Sequence, residues 1–323
     1  MSKLICFGEV LVDLIDNESK SGTDIYPGGA PANVAVCFAK LGGESTLLGG
    51  VGGDEHSIFL TEQLTKNKVD IRYLTHFPHA KTAKAVVSLD QNNERSFQIF
   101  REDTADTLIK ADDLSESVFL KNNIFHFCSN TLTSSSLLST TSTALEIAAE
   151  NELLVSFDVN IRLGLWDETS LVESRISSLF DYCDIVKMSK DELEFLANQS
   201  DKDVKSYIDY CLKKGASLLL ITDGKNPIIC YGKNMQQSVI SPRVSVADTT
   251  AAGDAFIGGF LWKISQLLAD RNKKELASIT ASELKNCMQF AAICGAITCC
   301  SKGAFDAMPT HKQIKNFNNT SMV

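Results

Sequence analysis

The sequence predicts an α/β fold: a mostly parallel β-sheet with helices on both faces, and a small β-sheet set apart from it. Three observations predict it. Short, nearly continuous apolar runs alternate with helical stretches, the pattern of parallel strands covered on both faces by crossover helices. One stretch, 82–101, breaks the alternation with two successive strands. The 323 residues are 44% hydrophobic and 22% charged, with no repeat, low-complexity tract or linker, so they carry apolar material for a sizeable core.

In chain order, strands are expected at 4–15, 45–51, 84–89, 95–100, 124–128, 153–158, 185–188 and 218–222. The first opens on Leu4-Ile5-Cys6-Phe7; its later part, 10–16, and the segment around 24–26 are candidates to join the small sheet. The runs 45–51, 124–128, 153–158, 185–188 and 218–222 are apolar and of strand length. Residues 95–100 alternate as a half-exposed strand does, and the turn-like Asp90-Gln91-Asn92-Asn93 joins them to 84–89 as a hairpin. Helices are expected at 31–41, 57–67, 137–151, 191–198, 204–214, 252–268 and 281–301. Pro31 suits the first turn of its helix. Phe256, Phe260 and Ile264 give the helix at 252–268 one buried face. The chain thus reads as one domain, 1–323, with strands of a lid or interaction surface at about 10–27 and 82–103.

The longest apolar runs, such as 217–221 and 256–262, fall far short of the ~20 residues a membrane helix needs. No secretory signal pattern precedes Leu4, and the net charge of −9 argues against a general polyanion-binding surface. Ten scattered cysteines form no C-x-x-C pair, so a reduced, cytoplasmic protein is expected, with neither nucleic acid nor membrane as partner. His76 and His79 flank Phe77-Pro78 and fit a surface turn better than a metal pair.

Ligands of open parallel sheets bind beyond the carboxyl ends of the strands. Here those ends carry Asp158-Val159-Asn160-Ile161-Arg162, Lys187-Met188-Ser189 and Thr222-Asp223-Gly224, which together suggest a shared polar crevice. Gly28-Gly29-Ala30-Pro31-Ala32-Asn33 is either an ordinary glycine turn before a helix or a loop that approaches a ligand. In the second case Asn33 would donate and accept to sugar-like hydroxyls. In Asp248-Thr249-Thr250-Ala251-Ala252-Gly253-Asp254, small residues lead into a helix whose exposed amides and dipole make an anion site. Asp254 beside it is either a helix cap or a base that takes a hydroxyl proton as a phosphoryl group arrives. The P-loop pattern is absent, and Gly49-Gly50-Val51-Gly52-Gly53 does not complete the dinucleotide fingerprint.

Together these segments resemble the ribokinase family, the PfkB carbohydrate kinases, from Ile5-Cys6-Phe7-Gly8-Glu9 to Ala304–Thr310. Gly28-Gly29 before Asn33 is similar to the family's N-terminal signature. The segment 248–254 with Gly258-Gly259 is similar to its C-terminal one. Phe100-Arg101 with Ala105-Asp106, 158–162 with Trp166, and Lys187-Met188-Ser189 with Glu192 resemble the fructokinase branch, as do 294–298 and 302–304. The resemblance implies a ribokinase-like fold and an ATP-dependent sugar kinase using Mg²⁺, with K⁺ as a candidate further cation. Fructose is the implied substrate, with 2-keto-3-deoxygluconate or aminoimidazole riboside as alternatives. A non-catalytic sugar-binding protein on the same fold is the rival from another class.

By the same resemblance Asp254 is the catalytic base, and the amides of Ala251, Ala252, Gly253 and Asp254 hold the transferring phosphoryl charge. Asp13, Gly28, Gly29, Asn33, Arg101, Asn160 and Arg162 lie at the sugar. Lys187, Ser189, Thr222, Gly224, Thr250 and Gly253 lie at the nucleotide, and Glu192 organises the metal through water. The lid is implied to form a homodimer contact. Three positions depart from the pattern: Ala251 and Ser57 stand where glycine is usual, and Ser189 where ribokinases place asparagine.

Overall fold

The protein is described here by a computed structural model covering residues 3–17, 22–89, 95–120, 123–269, 276 and 278–320. The strands are β1 (Leu4–Phe7), β2 (Leu11–Asn17), β3 (Gly22–Gly28), β4 (Ser45–Gly52), β5 (Val69–Asp70), β6 (Leu74–Phe77), β7 (Lys84–Leu89), β8 (Arg95–Phe100), β9 (Ile124–Cys128), β10 (Leu154–Asp158), β11 (Ile185–Ser189), β12 (Leu218–Thr222), β13 (Ile228–Gly232) and β14 (Met235–Val239). The helices are α1 (Ala30–Lys40), α2 (Glu55–Lys66), α3 (Ser135–Glu150), α4 (Val172–Ser177), α5 (Lys190–Gln199), α6 (Val204–Lys214), α7 (Ala252–Leu267), α8 (Ala281–Thr298) and α9 (His311–Thr320).

The main sheet runs β14-β13-β12-β11-β10-β9-β1-β4-β5, with β6 also on the edge of β4. From β12 to β5 every pairing is parallel. Successive side chains of each strand enter opposite cores. Leu4 and Cys6 of β1 face the layer of α1, α7 and α8, whereas Ile5 and Phe7 face the layer of α3 to α6. On that second face Phe7, Phe125, Phe127 and Phe157 form a row, with Phe127 and Phe157 stacked 4.5 Å apart. Rows of buried aromatics with this geometry add directional contacts to the area they bury.

The small sheet is ordered β3-β2-β7-β8 and joins segments from both predicted stretches. β7 and β8 pair antiparallel as expected; the expected turn at 90–93 lies outside the described residues.

Four expectations need correction. The run 4–15 is not one strand: at Gly8, φ is +142°, and the chain leaves the main sheet to enter the small one. The hairpin β13–β14 is a second break in the alternation, extending the main sheet antiparallel at its edge. The helix expected at 281–301 ends at Thr298, and that at 57–67 begins at Glu55, capped by Asp54. Among the described residues, no helix is long and apolar enough to cross a membrane.

Candidate active site

The parallel strands β12, β11, β10, β9, β1 and β4 end along one edge in that order. This edge collects the polar strand ends, which is where an open parallel sheet offers a crevice. Thr222 and Ser189 are register partners on β12 and β11. Ser189 caps α5: its hydroxyl accepts from Glu192 N, while Glu192 Oε2 accepts from Ser189 N at 2.7 Å. Glu192 Oε1 accepts from Ile161 N at 2.7 Å, so one carboxylate ties the ends of β10 and β11 together. Gly224 turns the chain after β12 with φ +51°, and Ser241 Oγ donates to its carbonyl.

In the middle of the edge, Lys187 donates to both carboxylate oxygens of Asp158 at 2.9 and 2.8 Å. Burial opposes its charge, but Asp158, Glu192 and Asp254 outweigh that and hold the ammonium above its ordinary pKa. Asn160, in the left-handed region at φ 34°, receives Ser129 Oγ on its carbonyl.

The start of α7 lies against Lys187. A Cβ on Gly253 would stand 3.0 Å from Lys187 Nζ, so glycine is what lets helix and ammonium approach. The helix begins at Ala251, which adopts φ 59°, ψ 11° and makes no side-chain cap. Asp248 orders the approach, its Oδ1 accepting from Thr250 N and Thr250 Oγ1. First-turn amides of a helix have no carbonyl of their own helix to bond, so those of Gly253 and Asp254 are available to an anion.

Asp254 is not the helix cap. It is buried at 8% exposure, and its Oδ2 accepts from Asn33 Nδ2 at 2.7 Å, across 221 residues of sequence. Burial raises its pKa, against the pull of Asn33, Lys187 and Arg162. Asn33 Oδ1 is buried without a partner. A buried amide oxygen left unpaired costs free energy unless a donor reaches it.

Asn33 sits there because Gly29 opens α1 with φ +106°, and a Cβ on it would stand 2.6 Å from Glu9 O. Glu9 Oε1 accepts from Ala30 N at 3.2 Å and from Asn130 Nδ2 at 2.9 Å. Gly28 lies against Asp13, whose Oδ2 would be 2.5 Å from a Cβ there. Burial, with the like charges of Asp248 and Asp254, pushes the Asp13 carboxyl up to about 6. Glu9 is likewise raised, by burial first.

The structure therefore brings Asp13, Gly28, Gly29, Asn33, Asp254, Gly253 and Lys187 into one neighbourhood. Arg162 is exposed and acts on Asp254 through charge alone. Arg101 is drawn into a buried pair with Asp106 at the base of the small sheet. Sequence reasoning passed over Glu9 and Asn130. Their signal was the same polar strand-end position, after β1 and β9, that marked Lys187.

Residues 1–311 match the pfkB family of carbohydrate kinases. The chain belongs to that family. A probable fructokinase-2 from Arabidopsis thaliana is 35% identical over 320 residues, covering 97% of this chain and 95% of that protein. A fructokinase from Xylella fastidiosa, solved with bound ATP, superposes with a TM-score of 0.92 at 33% identity, over 99% of each chain. A fructokinase from Vibrio cholerae, solved with fructose, ADP and calcium ion, gives a TM-score of 0.87 at 32% identity, over 98% of this chain and 99% of that one. The pfkB assignment makes the chain a phosphotransferase acting on a sugar hydroxyl, on a ribokinase-like fold.

Proposed function

We propose that the protein is an ATP-dependent fructokinase that converts fructose to fructose 6-phosphate. The observation that carries this reading is the Asn33–Asp254 pair at the start of α7, with Lys187 beside it and Asn33 Oδ1 unpartnered. Such a site offers a hydroxyl an acceptor for its proton and an amide to orient it. Beside these lies a cationic, amide-lined surface for the arriving phosphoryl group.

In the proposed reaction the Asp254 carboxylate takes the proton of the primary hydroxyl. The freed oxygen attacks the γ-phosphorus in line, the bond to the bridging oxygen breaks, and ADP leaves. The amides of Ala251, Gly253 and Asp254 and the Lys187 ammonium face the charge that develops, whereas the Ala252 amide donates to Thr249 O, and Asp158 holds the ammonium in place. Asp13, Gly28, Gly29, Asn33 and Asn160 orient the sugar, with Arg162 over the reacting end. Ser189, Thr222, Gly224 and Thr250 line the nucleotide. Raising the pKa of Asp254 by burial strengthens it as a base near neutral pH.

The donor set suits Mg²⁺. Glu192 is a single half-buried carboxylate, and the described residues hold no cluster of three acidic, cysteine or histidine donors. That composition fits a cation held chiefly by phosphate oxygens and water. When bound, it would neutralise charge on the phosphates.

The small sheet is proposed as a lid that excludes water, and as a homodimer contact. Exposure of Ile25 at 45% and Phe100 at 41% supports such a surface. Ten cysteines outside any disulfide among the described residues support a reducing, cytoplasmic setting. Measuring ADP release with Mg·ATP across fructose, glucose, mannose, ribose, 2-keto-3-deoxygluconate and aminoimidazole riboside, with and without K⁺, tests the reading. Turnover with fructose well above the others is expected; turnover confined to another sugar refutes it.

A further inference from the structure

We propose that Asp106 is a specificity-determining residue. By occupying the Arg101 guanidinium, it withholds that cation from a sugar carboxylate and keeps this kinase on uncharged sugars. The inference rests on the sugar-kinase reading above and adds the basis for choosing among sugars.

Arg101 follows β8 at the root of the small sheet and is 8% exposed. Its Nε donates to Asp106 Oδ2 at 2.5 Å, and its Nη1 donates to Asn130 O at 2.8 Å and to Thr133 Oγ1 at 3.3 Å. Asp106 is fixed in turn, its Oδ1 accepting from Thr104 Oγ1 at 2.6 Å. The same Asn130 donates to Glu9 Oε1, and Glu9 accepts from Ala30 N beside the Gly28-Gly29 turn. Arg101 is thus two hydrogen-bonded residues away from the turn proposed to hold the sugar, close enough to matter to a charged ligand.

An unpaired arginine there would be a ready fork for a carboxylate. Here one carboxylate already takes it and a second, Glu9, lies close by, so the cluster presents no net positive charge. Arg101 also borders a cleft of about 850 Å³ under β7 and β8, where the charges again balance: Lys81, Lys84 and Arg101 against Glu102, Asp103 and Asp167. Near the same turn, Asp248 and Asp254 lie within electrostatic reach of Asp13. An acid sugar would add a negative charge to this set with Arg101 unavailable to answer it. A like-charge juxtaposition of this kind is a recognised way of rejecting a ligand.

The test compares 2-keto-3-deoxygluconate with its neutral counterpart 3-deoxyfructose, which differs by a hydroxymethyl group in place of the carboxylate. In the wild-type enzyme kcat/KM should favour the neutral sugar by on the order of 100-fold. Asp106→Asn keeps the shape and the bond to Thr104 but removes the charge. It should narrow that ratio at least tenfold through a lower KM for the acid sugar, with KM for ATP unchanged. Asp106→Glu, which keeps the charge, should restore discrimination.

A wild-type enzyme that treats the two sugars alike overturns the inference even if Asp106→Asn fails to fold. So does an unchanged ratio in a folded Asp106→Asn enzyme that still phosphorylates fructose, and in that case the kinase reading stands. Absence of any sugar turnover in the wild type overturns both.

Discussion

Asp254→Asn separates chemistry from architecture at this site. The amide has the same shape, and its oxygen can still accept from Asn33 Nδ2, a bond of 2.7 Å in the native protein. What disappears is a proton acceptor. Removing a positioned base costs about 10²–10⁴ in rate, or ~3–5 kcal/mol of barrier. Stability should move the other way. Burial raises the pKa of Asp254 in the folded state above its unfolded value. Its contribution to stability is therefore full below the unfolded pKa and is lost as pH rises through the folded one. At pH 8 the native enzyme carries the whole cost of a buried carboxylate, and the amide carries none of it. The assay is initial-rate ADP release with saturating Mg·ATP and fructose, alongside thermal melts at pH 4.5 and pH 8. The variant should lose at least a hundredfold in kcat. Its Tm should equal or exceed that of the native enzyme at pH 8, with the advantage shrinking at pH 4.5. A kcat within tenfold of native would refute the assignment of Asp254 as base, and a clear loss of Tm at pH 8 would refute its raised pKa.

The sugar side should show an acid limb: with Asp13 raised to about 6, protonation below that pH removes an acceptor, so KM for fructose should climb as pH falls from 7 to 5 while KM for ATP changes little. Gly253→Ala places a methyl 3.0 Å from Lys187 Nζ and crowds the ammonium at the start of α7 by a few tenths of an ångström; kcat should fall less than tenfold in a steady-state assay, with Tm nearly unchanged. Ala251→Gly relieves a left-handed alanine at φ 59°. Relief of ~1–2 kcal/mol, offset by ~0.4–1 kcal/mol of added unfolded-state freedom, should raise Tm by about 1–2 °C in a denaturation melt. Lys187→Met leaves Asp158 buried without its partner and should destabilise by about 3–5 kcal/mol in a urea titration at pH 7.5.

The architecture was legible wherever burial imposes a simple pattern. β9 and β12 are covered on both faces, so their sequences are almost wholly apolar, with His126 the polar exception inside β9 and Thr222 closing β12, and helical periodicity located α7 and its buried face. The break between β1 and β2 was hidden because both sheets bury apolar residues. Gly8, with the polar Glu9 after it, marks the change of direction. β13 carries the apolar run Ile228-Ile229-Cys230-Tyr231, but β14 is largely polar, so the two did not stand out as a hairpin.

At the site, residue types were legible and partnerships were not. Asp254 and Asn33 each stood out in a glycine-flanked segment, but nothing local says that they touch. The Lys187–Asp158 pair follows from the register of β10 against β11, which places the two residues side by side. A register between strands separated by a helical connection has no signature in either strand. Likewise, Arg101 could be seen as a cation near the lid, but its neutralisation by Asp106 depends on a turn five residues on.

The central claim is that the protein moves a phosphoryl group from ATP to a fructose hydroxyl. The most direct measurement follows both products at once, quantifying ADP and sugar monophosphate by mass spectrometry after incubation with Mg·ATP and fructose. Equal amounts of ADP and fructose 6-phosphate are expected from the native enzyme, and both at least a hundredfold more slowly from Asp254→Asn. ADP formed without sugar phosphate, or fructose left unmodified while ATP is bound, would contradict it.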